Sequence, residues 1–291
     1  MATEKFQATL ETVTPLFLGG SDPRGQPELR AASFRGAMRF WLRALLGGIL
    51  GDRPDKIFER ESQVFGSTDH ASPVVVQVSH QNLPSIGYSE LTQSRAGIAY
   101  LFFGARPTRN EPERKAIANG CQFSCTFHLR AGVQNPKILQ AVAAALWLLT
   151  NLGGLGMRAR KGGGNLRVVS ADCNDPLLPS LVLQARTPEQ LQSALQHGLH
   201  RLREWAAEAF GGVARDSVRP NQVCAVSTAP KRVRRGRCCR RLGFRIERFC
   251  LVGRPRRHPR EPEAKNASPR ERKPLAVRVH HAGQSHPKTR A

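Results

Sequence analysis

Three arginines, Arg35, Arg39 and Arg43, recur at four-residue intervals in one stretch of predicted helix. On a helix this spacing places each arginine one turn beyond the last, on nearly the same side. No acidic residue lies between Glu28 and Asp52, so we expect these side chains to lack the neighbouring carboxylate that often pairs a surface arginine. Unpaired guanidinium groups suit polyanions, above all phosphate. The pattern predicts either a phosphate-binding helix or a solvated face that covers the core with its aliphatic stems.

A second candidate site is the glycine-rich segment at residues 153–165, GGLGMRARKGGGN. It combines six glycines with the cations Arg158, Arg160 and Lys161. Glycine lets a backbone approach a ligand closely and expose its N–H groups, and the cations supply charge. A dinucleotide fingerprint needs a strand before the loop and a helix after it, and the predicted order is the reverse. The alternatives are a cationic anion-binding loop and a flexible hairpin with solvated charges.

Other side chains capable of chemistry are less well placed. Cys121 and Cys125 fall on the apolar side of a predicted strand, about 13 Å apart along it, which is too far for one metal ion. We interpret them as buried core thiols. His128 lies on the polar side of that strand, but no second histidine is marked out for acid–base cleavage of RNA. The sequence therefore predicts no catalytic residue, no metal and no cofactor.

The net charge of +23 is unevenly distributed along the chain. Residues 230–291 contain 20 basic and 4 acidic residues, a net charge of +16, and are rich in Pro, Ser and His. This composition is typical of disorder. Three interpretations stay open: a nonspecific nucleic-acid-binding arm, a solvated tail, and a frame-shifted read-through that replaces a normal C-terminal half. We therefore expect the function to reside in residues 1–229.

Cysteine usage and hydropathy predict a cytoplasmic protein. Seven cysteines at irregular spacing, without a secretory leader, favour a reducing compartment over a disulfide framework. The most apolar run, at residues 138–149, is too short to span a bilayer. We expect a soluble protein with no membrane partner.

Hydrophobic periodicity predicts the elements that position these residues. Strands are predicted at residues 5–14, 73–80, 98–104, 120–130 and 166–170. Residues 105–119 are predicted to be a charged, partly helical connection. Helices are predicted at residues 28–46 (capped by Ser33, with an apolar face of Phe34, Met38, Leu42 and Leu45), 54–64, 136–153 and 187–210. This order predicts an α+β fold with a ferredoxin-like (RRM-like, split β-α-β) sheet and helices on one face.

Four motifs in order resemble a known family. They are TPLFLGG (14–20), ELRAASFRGAMRFWLRALLGG (28–48), VFGSTDHASPVVVQV (64–78) and GGLGMRARKGGGN (153–165). Together they resemble RAMP proteins of CRISPR systems, most closely the subunit-one family of the Cmr (type III-B) effector complex. The resemblance covers about residues 5–170.

The resemblance implies a non-catalytic RNA-binding subunit of a ribonucleoprotein that acts in antiviral defence. Its implied partners are crRNA, target RNA and other Cmr subunits, with no small-molecule substrate. The two cationic motifs supply the candidate RNA-binding residues: Arg30, Ser33, Arg35, Arg39, Arg43, Gly154, Gly156, Arg158, Arg160, Lys161, Gly162, Gly164 and Asn165. Two alternatives remain, a metal-independent crRNA-processing endoribonuclease with His128 as its first candidate residue, and a protein–protein scaffold.

Two departures from the family pattern bear on the domain organisation. Gly163 stands where the family has a bulky residue between the last glycines of the loop. The family also carries a second ferredoxin-like domain that is not readable here. We therefore expect a RAMP ferredoxin-like domain at residues 1–170, the helical start of an incomplete second domain at 171–229, and a disordered basic tail at 230–291.

Overall fold

The structure is a computed structural model that describes residues 5–93 and 95–212. Within these ranges the helices are α1 (Ala31–Leu50), α2 (Pro54–Phe65), α3 (Tyr88–Thr92), α4 (Ala96–Leu101), α5 (Pro136–Leu152) and α6 (Pro188–Phe210). The strands are β1 (Lys5–Thr12), β2 (Val74–Ser79), β3 (Ser85–Gly87), β4 (Lys115–Ile117), β5 (Gln122–Leu129) and β6 (Leu166–Ala171). Short 3-10 turns follow α4 at Phe103–Ala105 and lie in the glycine-rich loop at Ala159–Lys161.

A four-stranded sheet forms the centre of the fold. Its strand order is β2-β5-β1-β6, and every pair of neighbours is antiparallel. Side chains alternate along β1, where Phe6, Ala8 and Leu10 are buried on one face. The hydrophobic core lies between this face and the helices α1, α5 and α6. The protein is thus a mixed α/β fold with an antiparallel sheet, in agreement with the sequence prediction at this level.

The first helix presents the apolar face that its periodicity predicts. Phe34, Met38 and Leu42 are fully buried, and Leu45 is nearly so. The helix begins at Ala31, three residues after the predicted start, and its N-cap is Arg30, so the prediction of a Ser33 cap is wrong. The Ser33 N–H lies inside the first turn and donates to the Arg30 carbonyl.

The prediction of a strand at residues 98–104 is also wrong. This run folds as helix α4 and a 3-10 turn, because a short apolar run fits a helix as well as a strand and only its packing decides. Within the charged connection that follows, residues 115–117 form a strand that pairs with β3. Buried residues of the insert at 85–117 form a second small core together with Phe17; they are Leu91, Phe102, Ala105 and Ala116.

Helix α6 packs on the same core as the sheet. Leu195, Leu202 and Trp205 are buried in the cluster that also contains the residues of β1 and α1. The predicted boundary at residue 170 is therefore not accompanied by a separate core within residues 171–212. Positions 213–229 and the basic tail at 230–291 lie outside the described residues, so the second domain and the tail stay predictions.

None of the helices in the described ranges is both long enough and apolar enough to cross a membrane.

Candidate nucleic-acid interface

The arginine stripe of α1 is partly neutralised by a carboxylate from the next helix. Glu61 of α2 is fully buried, and its Oε1 lies 2.5 Å from the Arg39 Nε. Its Oε2 accepts from the Nε and Nη2 of Arg43 at 2.9 and 2.7 Å. The expectation that the stripe lacks carboxylate partners is therefore wrong for Arg39 and Arg43. The sequence did not predict this pairing, because Glu61 is far from both arginines along the chain. The fold places α2 against the side of α1 that carries Arg39 and Arg43.

The N-cap arginine and the first arginine within α1 form no ion pair with a carboxylate of the described residues. Arg30 donates from Nη2 to the carbonyl oxygen of Gly19 at 3.2 Å. Arg35 forms no hydrogen bond or ion pair within the described residues, and its buried Nε has no acceptor. The start of α1 thus presents unneutralised guanidinium charge, whereas Arg39 and Arg43 farther along the helix bind Glu61 of α2.

The glycine-rich loop is compactly folded, and several of its backbone N–H groups donate to carbonyl oxygens of the protein. Amides of the loop donate to protein acceptors: Leu155 to Gly164 O, Met157 to Phe17 O, Lys161 and Gly163 to Arg158 O, and Gly164 to Pro15 O. The expectation that the glycines free their backbone N–H groups for a ligand is therefore wrong for Gly163 and Gly164. Their main task is close packing within the protein.

Individual glycines show how tight that packing is. At Gly164, with φ +62°, a Cβ would lie 2.0 Å from the carbonyl oxygen of Leu155. At Gly156, with φ +77°, it would lie 2.3 Å from the carbonyl oxygen of Phe17, and at Gly154 2.9 Å from that of Gly163. Only glycine fits these positions. Gly162 also has positive φ, but its surroundings are open.

Asn165 closes the loop at its base. Its side-chain Nδ2 donates to the carbonyl oxygen of Gly153 at 3.1 Å, and its backbone N–H donates to the Thr14 hydroxyl at 2.9 Å. The Thr14 hydroxyl in turn donates to the carbonyl oxygen of Gly162. Asn165 therefore holds the two ends of the loop together, a structural role that the sequence prediction did not separate from ligand binding.

The cations of this loop lie on its exposed surface. Arg158, Arg160 and Lys161 are all exposed, and none forms an ion pair with a described residue. Arg158 has a left-handed backbone, with φ 59° and ψ 23°, and it is the only residue other than glycine with positive φ in the described chain. Such a conformation costs a β-carbon-bearing residue about 1–2 kcal/mol. Strain of this kind is concentrated at binding sites.

Residues 14–20 connect the loop to the arginine helix. The Phe17 carbonyl accepts from the Met157 N–H of the loop at 3.0 Å, and the next carbonyl, Leu18, accepts from the N–H of Glu28 just before α1, also at 3.0 Å. Because consecutive Cα atoms lie about 3.8 Å apart, the start of the helix and the basic loop are held side by side. The structure thus brings Arg30 close to the loop that carries Arg158.

The open face of the main sheet carries little unpaired charge. Arg167 of β6 donates to Glu11 of β1 across the strands, and Gln122 donates to the same carboxylate. These hydrogen bonds, with that of Arg167 the stronger influence, lower the pKa of the Glu11 carboxyl. The guanidinium on this face is already neutralised, unlike the loop cations.

The remaining chemical candidates have structural explanations. Cys121 and Cys125 are buried, and burial raises the pKa of the Cys125 thiol to about 12, so it stays protonated. His128 is half-buried and contacts the carbonyl of Leu129 with its Nδ1. No cluster of three or more potential metal ligands occurs among the described residues.

Comparison with known proteins places the chain in a family. The sequence signature of the RAMP superfamily matches residues 9–167, more than half of the chain. The Cmr subunit Cmr1-2 of Pyrococcus furiosus is 33% identical over 173 residues, which cover 55% of this chain and 92% of that relative. The chain belongs to the RAMP superfamily, in the Cmr1 family. Cmr1-1 of the same organism is 31% identical over 172 residues, which cover 59% of this chain and 49% of Cmr1-1.

Solved structures agree with this assignment of the RAMP protein. The apo crystal structure of Cmr1 from Pyrococcus furiosus aligns with a TM-score of 0.56 and 26% identity, over 72% of this chain and 61% of that one. A type III-B Cmr-β complex bound to cognate target RNA contains a chain with a TM-score of 0.53 and 13% identity, which shows likeness of fold alone. The match covers 69% of this chain and 63% of that one. The chain thus spans about half of Cmr1-1 and less than two thirds of the solved Cmr1.

Sequence reasoning missed two parts of the interface of this RAMP protein. Glu61 was not recognised as the partner of the arginines, although it follows Phe58 by three residues in a short amphipathic helix. Residues 98–104 were predicted as a strand and 105–119 as a connection, so the contact of the insert at residues 85–117 with the loop was not predicted. That contact is made by Phe102, whose ring would lie 2.8 Å from a Cβ at Gly163. The clustering of aromatic residues at 100–103 was the available signal.

Proposed function

We propose that this RAMP protein is a non-enzymatic, RNA-binding subunit of a Cmr-type CRISPR ribonucleoprotein. Its ligand is the sugar–phosphate backbone of a single RNA strand, either crRNA or its target. The observation that carries the proposal is the juxtaposition of two sources of unpaired positive charge. The first is Arg30 at the N-cap of α1 with Arg35 in its first turns, and the second is the three loop cations. Phosphate contacts of this kind position a strand without reading its sequence.

The arrangement of the sheet supports this proposal. The order β2-β5-β1-β6, with β1 connected to β2 through helices and β5 to β6 through α5, supports the proposal of a split β-α-β, ferredoxin-like domain. We propose that this domain extends over residues 1–170. The basic surface lies on the loop before its last strand, since the cation of the open sheet face is already paired to Glu11.

The relatives support the proposed assembly and location. Two of them are named as subunits of CRISPR Cmr systems, and a structural neighbour comes from a Cmr complex bound to target RNA. We propose that this chain joins other Cmr subunits and crRNA in the cytoplasm, for antiviral defence. Nothing in the geometry of the described residues favours the endoribonuclease alternative, because the ring of His128 contacts only a backbone carbonyl among them.

The proposal is tested by RNA affinity in the full chain. A loop variant, Arg158→Gln, Arg160→Gln and Lys161→Gln, and a helix variant, Arg35→Gln, are compared with the parent on a single-stranded RNA. The control variant, Arg53→Gln, Lys56→Gln and Arg186→Gln, removes three other exposed cations and the same charge as the loop variant.

The loop variant is expected to bind RNA about 10-fold or more weakly than the control, because it loses phosphate contacts and not only net charge. The helix variant is expected to fall between them. Equal losses in the loop and control variants would show that the RNA is held by net charge alone, and the proposed interface would be rejected.

A further inference from the structure

We propose that Tyr100 and Phe103 form a stacking platform for one or two unpaired nucleobases of the RNA strand whose backbone the neighbouring basic loop holds. This inference rests on the proposed function and adds to it a second kind of contact, with the flat faces of bases. It assigns a role to the insert at residues 85–117, which the sequence alone did not suggest.

Both rings are exposed where their neighbours are buried. Tyr100 is 85% exposed and Phe103 50% exposed, whereas Phe102 between them is 2% exposed. The chain is helical here, with the N–H of Phe102 donating to the carbonyl of Ile98 and that of Ala105 to Phe102. Residues three apart on such a turn lie on neighbouring parts of one surface, so the two rings are placed side by side.

The platform is fixed to the basic loop through Phe102. The Phe102 ring lies against Gly163 so closely that a Cβ there would come within 2.8 Å of its Cε1. The same ring stacks at 4.8 Å on Phe17, whose carbonyl accepts the Met157 N–H of the loop. Phe103 is the next residue in the chain. A side chain at residue 163 would collide with the Phe102 ring, so glycine at this position permits the contact.

The hydrogen bonds of the insert leave Tyr100 free for a ligand. The chain has two tyrosines. The hydroxyl of Tyr88 donates to the carbonyl of Ala99 at 3.3 Å and holds α4 in place. The side chain of Tyr100 makes no hydrogen bond or ring contact with any described residue. An exposed aromatic ring on a firmly held turn loses little entropy when a base stacks on it.

Charge on the platform matches a nucleic acid. The Arg106 guanidinium lies 4.1 Å from the centre of the Phe103 ring. Arg114 donates its backbone N–H to Ala105 at the base of the turn, and its side-chain Nε is buried with no acceptor among the described residues. Rings interleaved with guanidinium groups are what single-stranded nucleic acids bind, with bases on the rings and phosphates on the cations.

A neighbouring protein subunit is the other macromolecule that could cover this patch. The observations favour a base, because the exposed patch consists of two aromatic rings with arginines close by and lies directly beside the unpaired cations of the loop. A protein interface of ordinary size needs a wider apolar centre than two rings provide.

The test separates base stacking from backbone attraction. The full chain is titrated with a single-stranded RNA and with an abasic strand of the same length, and the ratio of the two affinities is measured. The strongly basic C-terminal residues attract both strands equally, so their electrostatic contribution does not affect this ratio. The variants are the double substitution Tyr100→Ala and Phe103→Ala, the ring-conserving Tyr100→Phe, and Phe58→Ala, which removes a ring that is also 50% exposed on α2.

The parent is expected to bind the base-bearing strand about 10-fold more tightly than the abasic strand. The double variant is expected to lose most of this preference, while Tyr100→Phe and Phe58→Ala keep it. An unchanged preference in the double variant would overturn the platform, even if the RNA affinity itself still depends on the loop cations. If the double variant keeps its preference but no longer binds purified partner subunits, the patch is a protein-docking surface and the inference is wrong. Loss of the dependence on the loop cations, by contrast, would reject the proposed function itself.

Discussion

The backbone of Gly153 packs directly on the indole ring of Trp41. A Cβ at residue 153 would lie 2.5 Å from the Trp41 Nε1 and 2.8 Å from two ring carbons. Trp41 lies on the arginine helix and Gly153 begins the basic loop, so this contact is a second connection between the two cationic elements, independent of residues 14–20. The mutual placement of the two elements is therefore fixed by packing.

The substitution Gly153→Ala tests this contact. The added methyl group must displace the indole or the loop, and we expect a loss of about 1–3 kcal/mol in the free energy of unfolding. Gly48→Ala is the control, because Gly48 is an exposed residue of α1 with nothing within 4 Å of its missing Cβ. Alanine there is expected to stabilise the helix by about 0.5–1 kcal/mol. Chemical denaturation measures both, and equal effects would contradict the proposed packing.

Replacement of Arg39 by alanine should act on stability before it acts on RNA. Arg39 neutralises the buried carboxylate of Glu61, so its loss leaves that charge with Arg43 alone. We expect the free energy of unfolding to decrease by about 1–3 kcal/mol, because a buried charge that loses a partner destabilises the folded state. In the double variant Arg39→Met and Glu61→Met the cost should largely disappear. A stable Arg39→Ala protein with strongly reduced RNA affinity would show instead that Arg39 belongs to the interface.

Replacement of Arg158 by glycine should leave stability unchanged or raise it, and should weaken RNA binding. Its left-handed backbone is strained for arginine and relaxed for glycine, so Arg158→Gly is expected to unfold at an equal or higher denaturant concentration than the parent. The same substitution removes one exposed cation and should weaken RNA binding. Arg158→Ala, which loses the charge but keeps the strain, should bind RNA as weakly as Arg158→Gly while being less stable. If Arg158→Gly is the less stable of the two, the left-handed conformation is not the resting one.

The thiol of Cys125 should make stability fall with pH in the alkaline range. Its pKa is raised from 9.0 to about 12 by burial, so the unfolded chain ionises first as the pH rises. The contribution of the neutral thiol to the free energy of unfolding is fully present below pH 9 and is lost between about pH 9 and 12. In the steepest part of this range, the free energy of unfolding decreases by about 1.4 kcal/mol per pH unit. Cys125→Ala should show a shallower decline than the parent when unfolding is measured at pH 8, 9.5 and 10.5. Parallel declines would place Cys125 outside the core.

Strand and helix periodicity were sufficient to predict the frame of the fold. The alternation at 120–130 correctly placed Cys121 and Cys125 inside, and the Asn135-Pro136 start of α5 is capped by the Asn135 side chain, which accepts from the Lys137 N–H. These features depend on neighbours in sequence, where local rules act. Local sequence did not determine whether residues 98–104 form a helix or a strand, because their helical conformation depends on the packing of Phe102 against Phe17, which is distant in sequence.

The candidate site was less predictable than the frame, for a related reason. Whether an arginine is free or paired depends on carboxylates brought close by the fold, and Glu61 lies 22 residues after Arg39. The same holds for the glycines. Their number predicted close approach of the backbone, but the partner at Gly156 is the protein's own Phe17 carbonyl and not a ligand. The three loop cations are exposed and have no carboxylate partner among the described residues, because glycine-rich surroundings leave few places for acidic neighbours.

The salt dependence of RNA binding measures most directly whether the loop cations contact phosphate. Single-strand affinity falls with log salt by about 0.7 units of log affinity for each phosphate contact. The full chain is compared with the variant Arg158→Gln, Arg160→Gln and Lys161→Gln, and with the control Arg53→Gln, Lys56→Gln and Arg186→Gln. The loop variant should flatten the slope by about 2 units while the control leaves it near that of the parent. Identical slopes for all three proteins would show that the basic loop touches no RNA.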